Sequence, residues 1–113
     1  MSEPDTTATI DPKRRFRGCR VVVVSGDEAG REIQLAGVLT VTVGRSADAD
    51  ETIADDGLSR LHARFQSTPA GVVVVDLDSR NGTMVNGEKI RRRVLVDGDR
   101  VTLATLELVF NER

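Results

Sequence analysis

Three short polar groups stand at the edges of apolar runs in this chain: Gly44-Arg45, Ser59-Arg60 and Arg80-Asn81-Gly82. Guanidinium groups make charge-assisted, bidentate bonds to oxyanions, a hydroxyl donates one more, and a carboxamide donates and accepts at once. Together they are equipped to hold a phosphate monoester carried on a peptide backbone. Taken singly, each is also what a plain turn or a solvated face would contain. His62 is the one histidine and stands three residues after Ser59, which raises nucleophilic catalysis. An activated serine needs a base within hydrogen-bond reach and a third group to orient that base. Positions i and i+3 of an extended segment point to opposite faces, and the sequence has no GxSxG elbow. No catalytic residue is expected, and the chain does not read as an enzyme.

Metal and cofactor chemistry fare no better. Zinc sites draw on clusters of Cys and His, and this chain has one of each, far apart. The acidic stretch 48–51 with Asp55 and Asp56 offers oxygen ligands, but the EF-hand spacing with its central glycine is missing. Neither GxxxxGK[ST] nor GxGxxG occurs. A formal net charge of −2 argues against a general nucleic-acid binder, whose footprint is basic. Two local basic runs, 13–17 and 91–93, suit a solvated face or a small anionic ligand. No run approaches the 18 or so apolar residues of a membrane span, and the first residues lack the apolar segment of a secretory signal. Cys19, the single cysteine, lies at the edge of a valine run and reads as an inert buried thiol. These features predict a cytoplasmic protein with neither nucleic acid nor membrane as partner.

The elements that must position the polar groups are short. Residues 1–17 contain Pro4, Pro12 and three threonines with few large apolar groups, and read as a flexible N-terminal tail. From Gly18 to Arg113 the pattern becomes a single domain of β-branched runs separated by Gly, Asn and Asp: 19–25, 31–35, 38–43, 63–67, 72–76, 83–85, 93–96, 100–103 and 106–110. Apolar positions never recur at helical spacing for three turns. The chain is therefore predicted to be all-β, an antiparallel β-sandwich. The two VVVV runs are expected in strands buried on both faces or twisting across the sheet junction. The longest stretch without a strand signal is 46–61, interrupted at most around Thr52 and Ile53. A loop of that length in a compact domain is functional or disordered. Asn81-Gly82 and Asn86-Gly87 bracket residues 83–85 and carry the hairpin-turn signal.

In order along the chain come GR at 44–45, SRLHA at 59–63, DLDSRNGT at 76–83, VNG at 85–87 and LVDGDRV at 95–101. This series resembles the forkhead-associated (FHA) domain family, phosphothreonine-peptide-binding β-sandwiches of about 11 strands with the ligand loops at one end. The resemblance implies a role for each matched position. Arg45 would clamp the phosphate and support the loop backbone. The Ser59 hydroxyl and N–H would bond phosphate oxygens, and Arg60 would contact the phosphate or the peptide backbone. Arg80 would add a second cation or shape a downstream pocket, and Asn81 would hold the peptide main chain. Gly44, His62, Gly82, Asn86 and Gly87 would support the site, His62 as a brace and Asn86-Gly87 as a turn. Glu51 stands where the family commonly has a buried isoleucine, which leaves the course of 48–53 open. Ala104 replaces a glycine, so its turn should be tighter or differently angled. The implied partner is a phosphothreonine-containing protein or peptide, with a Ser/Thr kinase or its substrates behind it. Thr7 and Thr6 are candidate phosphorylation sites through which the tail would modulate the domain. The alternative function is a sensor module cut from a larger regulator, such as an enhancer-binding transcription activator, making phospho-independent contacts.

Overall fold

The computed structural model describes residues 18–35 and 39–112. The predicted tail, with Thr6 and Thr7, lies outside the described residues. Eleven strands follow in order: β1 Arg20–Val23, β2 Glu32–Gln34, β3 Thr40–Gly44, β4 Glu51–Thr52, β5 Ala63–Thr68, β6 Gly71–Asp76, β7 Thr83–Val85, β8 Glu88–Ile90, β9 Arg92–Val94, β10 Arg100–Leu103 and β11 Leu106–Asn111. They form two sheets, a six-stranded one in the order β2-β1-β11-β10-β7-β8 and a five-stranded one in the order β4-β3-β5-β6-β9. Every recorded pairing is antiparallel except β3 with β4, which is parallel.

Period-2 alternation explains which side chains meet between the sheets. In β11, Leu106, Leu108 and Phe110 are buried while Glu107, Val109 and Asn111 are half-buried. In β1, Val21 and Val23 point inward and Val22 does not, so the first valine run buries alternate residues and leaves Val24 exposed. The second run meets the expectation of burial on both faces. Val72, Val73 and Val74 are all buried, yet Val73 stands outside the inter-sheet cluster that holds its two neighbours. Phe65, Phe110, Ile33 and Leu103 provide large side chains at the centre of that cluster.

The register fixes which loops share an end. Strand β3 finishes at Gly44, β5 begins at Ala63 opposite Val43, and β6 finishes at Asp76 opposite Ala63. The segments 45–50, 53–62 and 77–82 therefore gather at one end. The β10–β11 turn joins them, since Ala104 N–H donates to Gly82 O at 3.1 Å. Arg20, opposite Asn111, starts β1 at the other end.

Candidate functional site

The long segment after Gly44 is not loose. Arg45 N–H donates to Ser59 O and Ser46 N–H to Arg60 O, both at 3.1 Å, so the two arms of the loop are laced together. Gly44 is required by this closeness. A Cβ added there would lie 2.0 Å from Arg60 O and 2.9 Å from Leu61 Cα, both backbone atoms. Further in, Ser46 Oγ accepts from Asp48 N–H at 3.0 Å, and Asp55 Oδ1 accepts from Gly57 N–H at 2.8 Å. Ile53 and Leu58 are buried in the core cluster and fasten the loop to it, and Ala49 is buried within the loop. The glutamate at 51 finds a polar use: Arg31 donates to Glu51 Oε1 at 2.5 Å and to Thr52 O at 2.9 Å. The course of 48–53, left open by the glutamate at 51, is thus set by this ion pair, with Ile53 as the buried apolar anchor.

On this frame Arg45 Nε donates to Leu58 O at 3.0 Å. Ser59 Oγ accepts the Arg80 N–H at 2.9 Å, which joins the first loop to the 76–82 loop and leaves the hydroxyl proton to donate outward. Asn81 Nδ2 donates to Gly57 O at 2.8 Å and closes the same gap one residue further on. A groove of about 420 Å³ opens alongside, lined by Ser46, Asp48, Ser59, Arg60 and Leu61. Thus Arg45, Ser59, Arg60, Arg80 and Asn81 lie at one end of the sandwich, within two directly bonded loops.

His62 is fully buried beneath them. Its Nδ1 accepts the Ser59 N–H at 3.1 Å, which leaves the proton on Nε2, and Nε2 donates to Gly82 O at 2.9 Å. The ring bonds across the site from the serine of one loop to the glycine of the other. Two consequences follow. No ring nitrogen is left to act as a base for Ser59, and the Ser59 N–H faces His62 rather than an oxyanion. The implied second donor of Ser59 is therefore engaged inside the protein, because a buried acceptor lies within its reach. Its hydroxyl is the group left to meet a ligand.

Asp76 and Asp99, which the sequence did not single out, hold the surrounding turns. Asp76 accepts from Ser79 Oγ at 2.5 Å, from Thr83 Oγ1 at 2.7 Å and from the Ser79 N–H at 3.1 Å. Partial burial pushes its carboxyl up, but these three bonds, with a smaller electrostatic contribution from the nearby His62 ring, outweigh it and leave the group below its ordinary value. Asp99 takes the Val96 N–H at 2.8 Å and Asn86 Nδ2 at 2.9 Å. Asn86 and Gly87 both adopt left-handed backbone, φ 52° and 85°, in the two-residue β7–β8 hairpin. Asn86 does more than turn the chain, since its Oδ1 also accepts the Arg100 N–H. Asn81-Gly82, by contrast, makes no hairpin. Gly82, at φ 87°, ends a loop that crosses between the sheets. Cys19 is buried, and burial first and Glu112 second push its thiol up, the opposite of a reactive thiolate. Among the described residues, no group of three or more His, Cys, Asp or Glu side chains is arranged to hold a metal ion, and no helix is long and apolar enough to cross a membrane.

Comparison with known proteins agrees with this architecture. The profile of the FHA domain matches residues 41–104. The chain is 39% identical over 90 residues to the glycogen accumulation regulator GarA of Mycolicibacterium smegmatis, a span of 80% of this chain and 56% of GarA. It is 39% identical over 92 residues to the oxoglutarate dehydrogenase inhibitor of Corynebacterium diphtheriae, covering 81% of this chain and 64% of the inhibitor. Over 70 residues it is 43% identical to the ABC transporter ATP-binding/permease protein Rv1747 of Mycobacterium tuberculosis, 62% of this chain but 8% of that protein. The chain thus spans less than two thirds of each of these relatives. Among solved structures, a domain studied for phosphothreonine-dependent FHA domain interactions superposes with a TM-score of 0.76 at 29% identity, covering 84% of this chain and 96% of that one. The FhaA FHA domain, solved with the intracellular domain of Rv3910, gives 0.74 at 30% identity, covering 83% and 100%. On the profile match over residues 41–104 and the 39% identity to GarA, the chain belongs to the FHA domain family.

Proposed function

We propose that residues 18–113 form a phosphothreonine-dependent protein-interaction module acting in Ser/Thr kinase signalling, with Arg45, Ser59, Arg60, Arg80 and Asn81 as its peptide-binding residues. One observation carries the reading: three arginines of the laced loops stand, among the described residues, without a carboxylate partner. Arg20, Arg31, Arg93 and Arg100 each lie within 4 Å of a glutamate. Among the described residues, no carboxylate pairs with Arg45, Arg60 or Arg80. No salt bridge engages them beside the Ser59 hydroxyl, and a phosphate dianion would supply the anion. Relatives point the same way: FhaA was solved with the intracellular domain of another protein, and a structural neighbour was studied for phosphothreonine-dependent interactions.

Binding of a phosphothreonine peptide library to the wild type, Arg45→Ala and Ser59→Ala tests the proposal. Truncating one partner of a hydrogen-bonded charge pair costs about 2–5 kcal/mol. Arg45→Ala should accordingly weaken binding by about 30-fold or more. Equal affinity for phosphorylated and unphosphorylated peptides in the wild type would sink the reading. It would favour instead a phospho-independent module of a larger regulator, a reading consistent with the chain's spanning only part of its relatives.

The same site would also take a phosphothreonine from the chain's own first residues. Thr7 is the preferred position and Thr6 the second, and either modification would place the domain's activity under the control of the kinase that writes it.

A further inference from the structure

The basic run at 91–93 has no part in the phosphate site, and the structure puts it beside that site. Asp76 N–H donates to Arg91 O at 2.9 Å, so Arg91 sits where the 76–82 loop begins. Arg92 follows at the start of β9, opposite Val75. Lys89, opposite Met84 in the β7–β8 pair, sends its side chain to the other end of the same loop. A methyl group added at Gly82 would lie 3.3 Å from Lys89 Cε and 3.9 Å from its Nζ. Lys89, Arg91 and Arg92 are all exposed. Arg93 has Glu88 at 2.5 Å, whereas no carboxylate pairs with Lys89, Arg91 or Arg92 among the described residues. Three unpaired cations therefore flank the loop whose Arg80 N–H is bonded to Ser59 Oγ.

The geometry points to a second anionic subsite, formed by Lys89, Arg91 and Arg92, that reads a further negative group on the same peptide. That group is either an acidic side chain or a second phosphate a few residues from the phosphothreonine. The inference rests on the phosphopeptide reading above and deepens it: the first site would require the phosphothreonine, and this one would select among phosphothreonine peptides by their flanks. These cations are exposed, so each contributes modestly, and their effect should shrink as salt rises.

The test uses the full chain and its Lys89→Gln/Arg91→Gln/Arg92→Gln variant, whose three substitutions are on the surface and keep the side chains long. Fluorescence anisotropy is measured with three sets of phosphothreonine peptides: neutral flanks, aspartate scanned through the four positions on either side, and one added phosphate on either side. Wild type should prefer the best acidic or doubly phosphorylated peptide over the neutral one by about five- to tenfold in low salt. The variant should bind the neutral peptide as wild type does and lose the preference to within about twofold. If the scan separates aspartate from phosphate, it identifies which anion the subsite takes. A wild type that ignores the flanks overturns this inference and leaves the phosphothreonine reading standing. Failure of every phosphopeptide to bind overturns both. Tighter binding of a short oligonucleotide of equal charge, independent of threonine phosphorylation, also overturns the inference and makes the run a nucleic-acid contact.

Discussion

At the scale of single residues, His62 has the most to lose. It is fully buried, and it satisfies the Ser59 N–H on one side and Gly82 O on the other. His62→Ala would leave a buried donor without its partner, weaken the tie at Gly82 and open a void the size of the ring. Unsatisfied buried groups cost about 1–3 kcal/mol each and large-to-small core changes about 2–5, so a loss of about 3–5 kcal/mol in urea unfolding is expected. Phosphopeptide affinity should fall in the folded fraction too, because Ser59 and Asn81 then sit on loops no longer tied through one ring. Unchanged affinity would mean that the direct Arg80–Ser59 and Asn81–Gly57 bonds suffice. The histidine's presence was plain from sequence, but its role was not a matter of composition. Its two bonds run in opposite directions to backbone atoms three and twenty residues away, and no spacing rule encodes that. Gly44 and Arg45 were legible because they end a strong alternating strand. Asp76 was not singled out for its half-buried carboxylate, since its three bonds come from a turn whose shape the sequence leaves open.

Elements were legible in proportion to their periodicity. Strands β7 and β10 lie where the β-branched runs predict them, and the ends of β1, β2, β3, β5, β6, β9 and β11 shift by a residue or two. Strand β8 escaped the pattern because Glu88-Lys89-Ile90 has a single apolar residue, and it is the Asn86-Gly87 hairpin that creates it. The two-residue β4 is defined by its pairing alone. At the β10–β11 turn, Ala104 adopts φ 61°, left-handed backbone that alanine takes at a cost of about 1 kcal/mol. The turn keeps the geometry that suits glycine rather than re-angling to suit alanine. Ala104→Gly should therefore raise stability by about 0.5–1 kcal/mol, visible as a higher urea midpoint with unchanged slope. The 76–82 loop gives a pH prediction. Asp76 titrates below its ordinary value of 3.8 in the folded state. Its contribution is thus fully present above that value and is lost as pH falls through the lowered folded value. Asp76→Asn should remove part of the acid sensitivity below about pH 4, at a cost near neutrality of about 1–2 kcal/mol from the weakened Ser79 and Thr83 bonds. If wild type and variant lose stability in parallel on acidification, the Asp76 account fails.

At the scale of the whole molecule the chain is polarised along its strands. The net charge is −2, yet among the described residues Arg45, Arg60, Arg80, Lys89, Arg91 and Arg92, none with a carboxylate partner, lie about the loops at one end, and β1 enters at the other. A phosphate at Thr7 would have to travel the length of the sandwich to reach the site. Strand β5 has six residues and spans about 20 Å at 3.4 Å each. Ten residues lie between Thr7 and Gly18, and the eleven Cα–Cα steps that join the two reach up to roughly 36–40 Å when extended. The tail is long enough to bring its own phosphothreonine to the site within one molecule. A tether of that length would give an effective concentration in the millimolar range. If the site Kd is on the order of 10–100 μM, capture in cis should reduce the apparent affinity for an external phosphopeptide by about 10- to 100-fold. Quantitative phosphorylation at Thr7, followed by titration with a labelled phosphopeptide, measures this directly. The reduction should be the same at low and high protein concentration, because the competitor is intramolecular, and Arg45→Ala should release the tail. A loss that grows with protein concentration would assign the capture to a second molecule. No loss at all would remove the tail from the regulation of this domain.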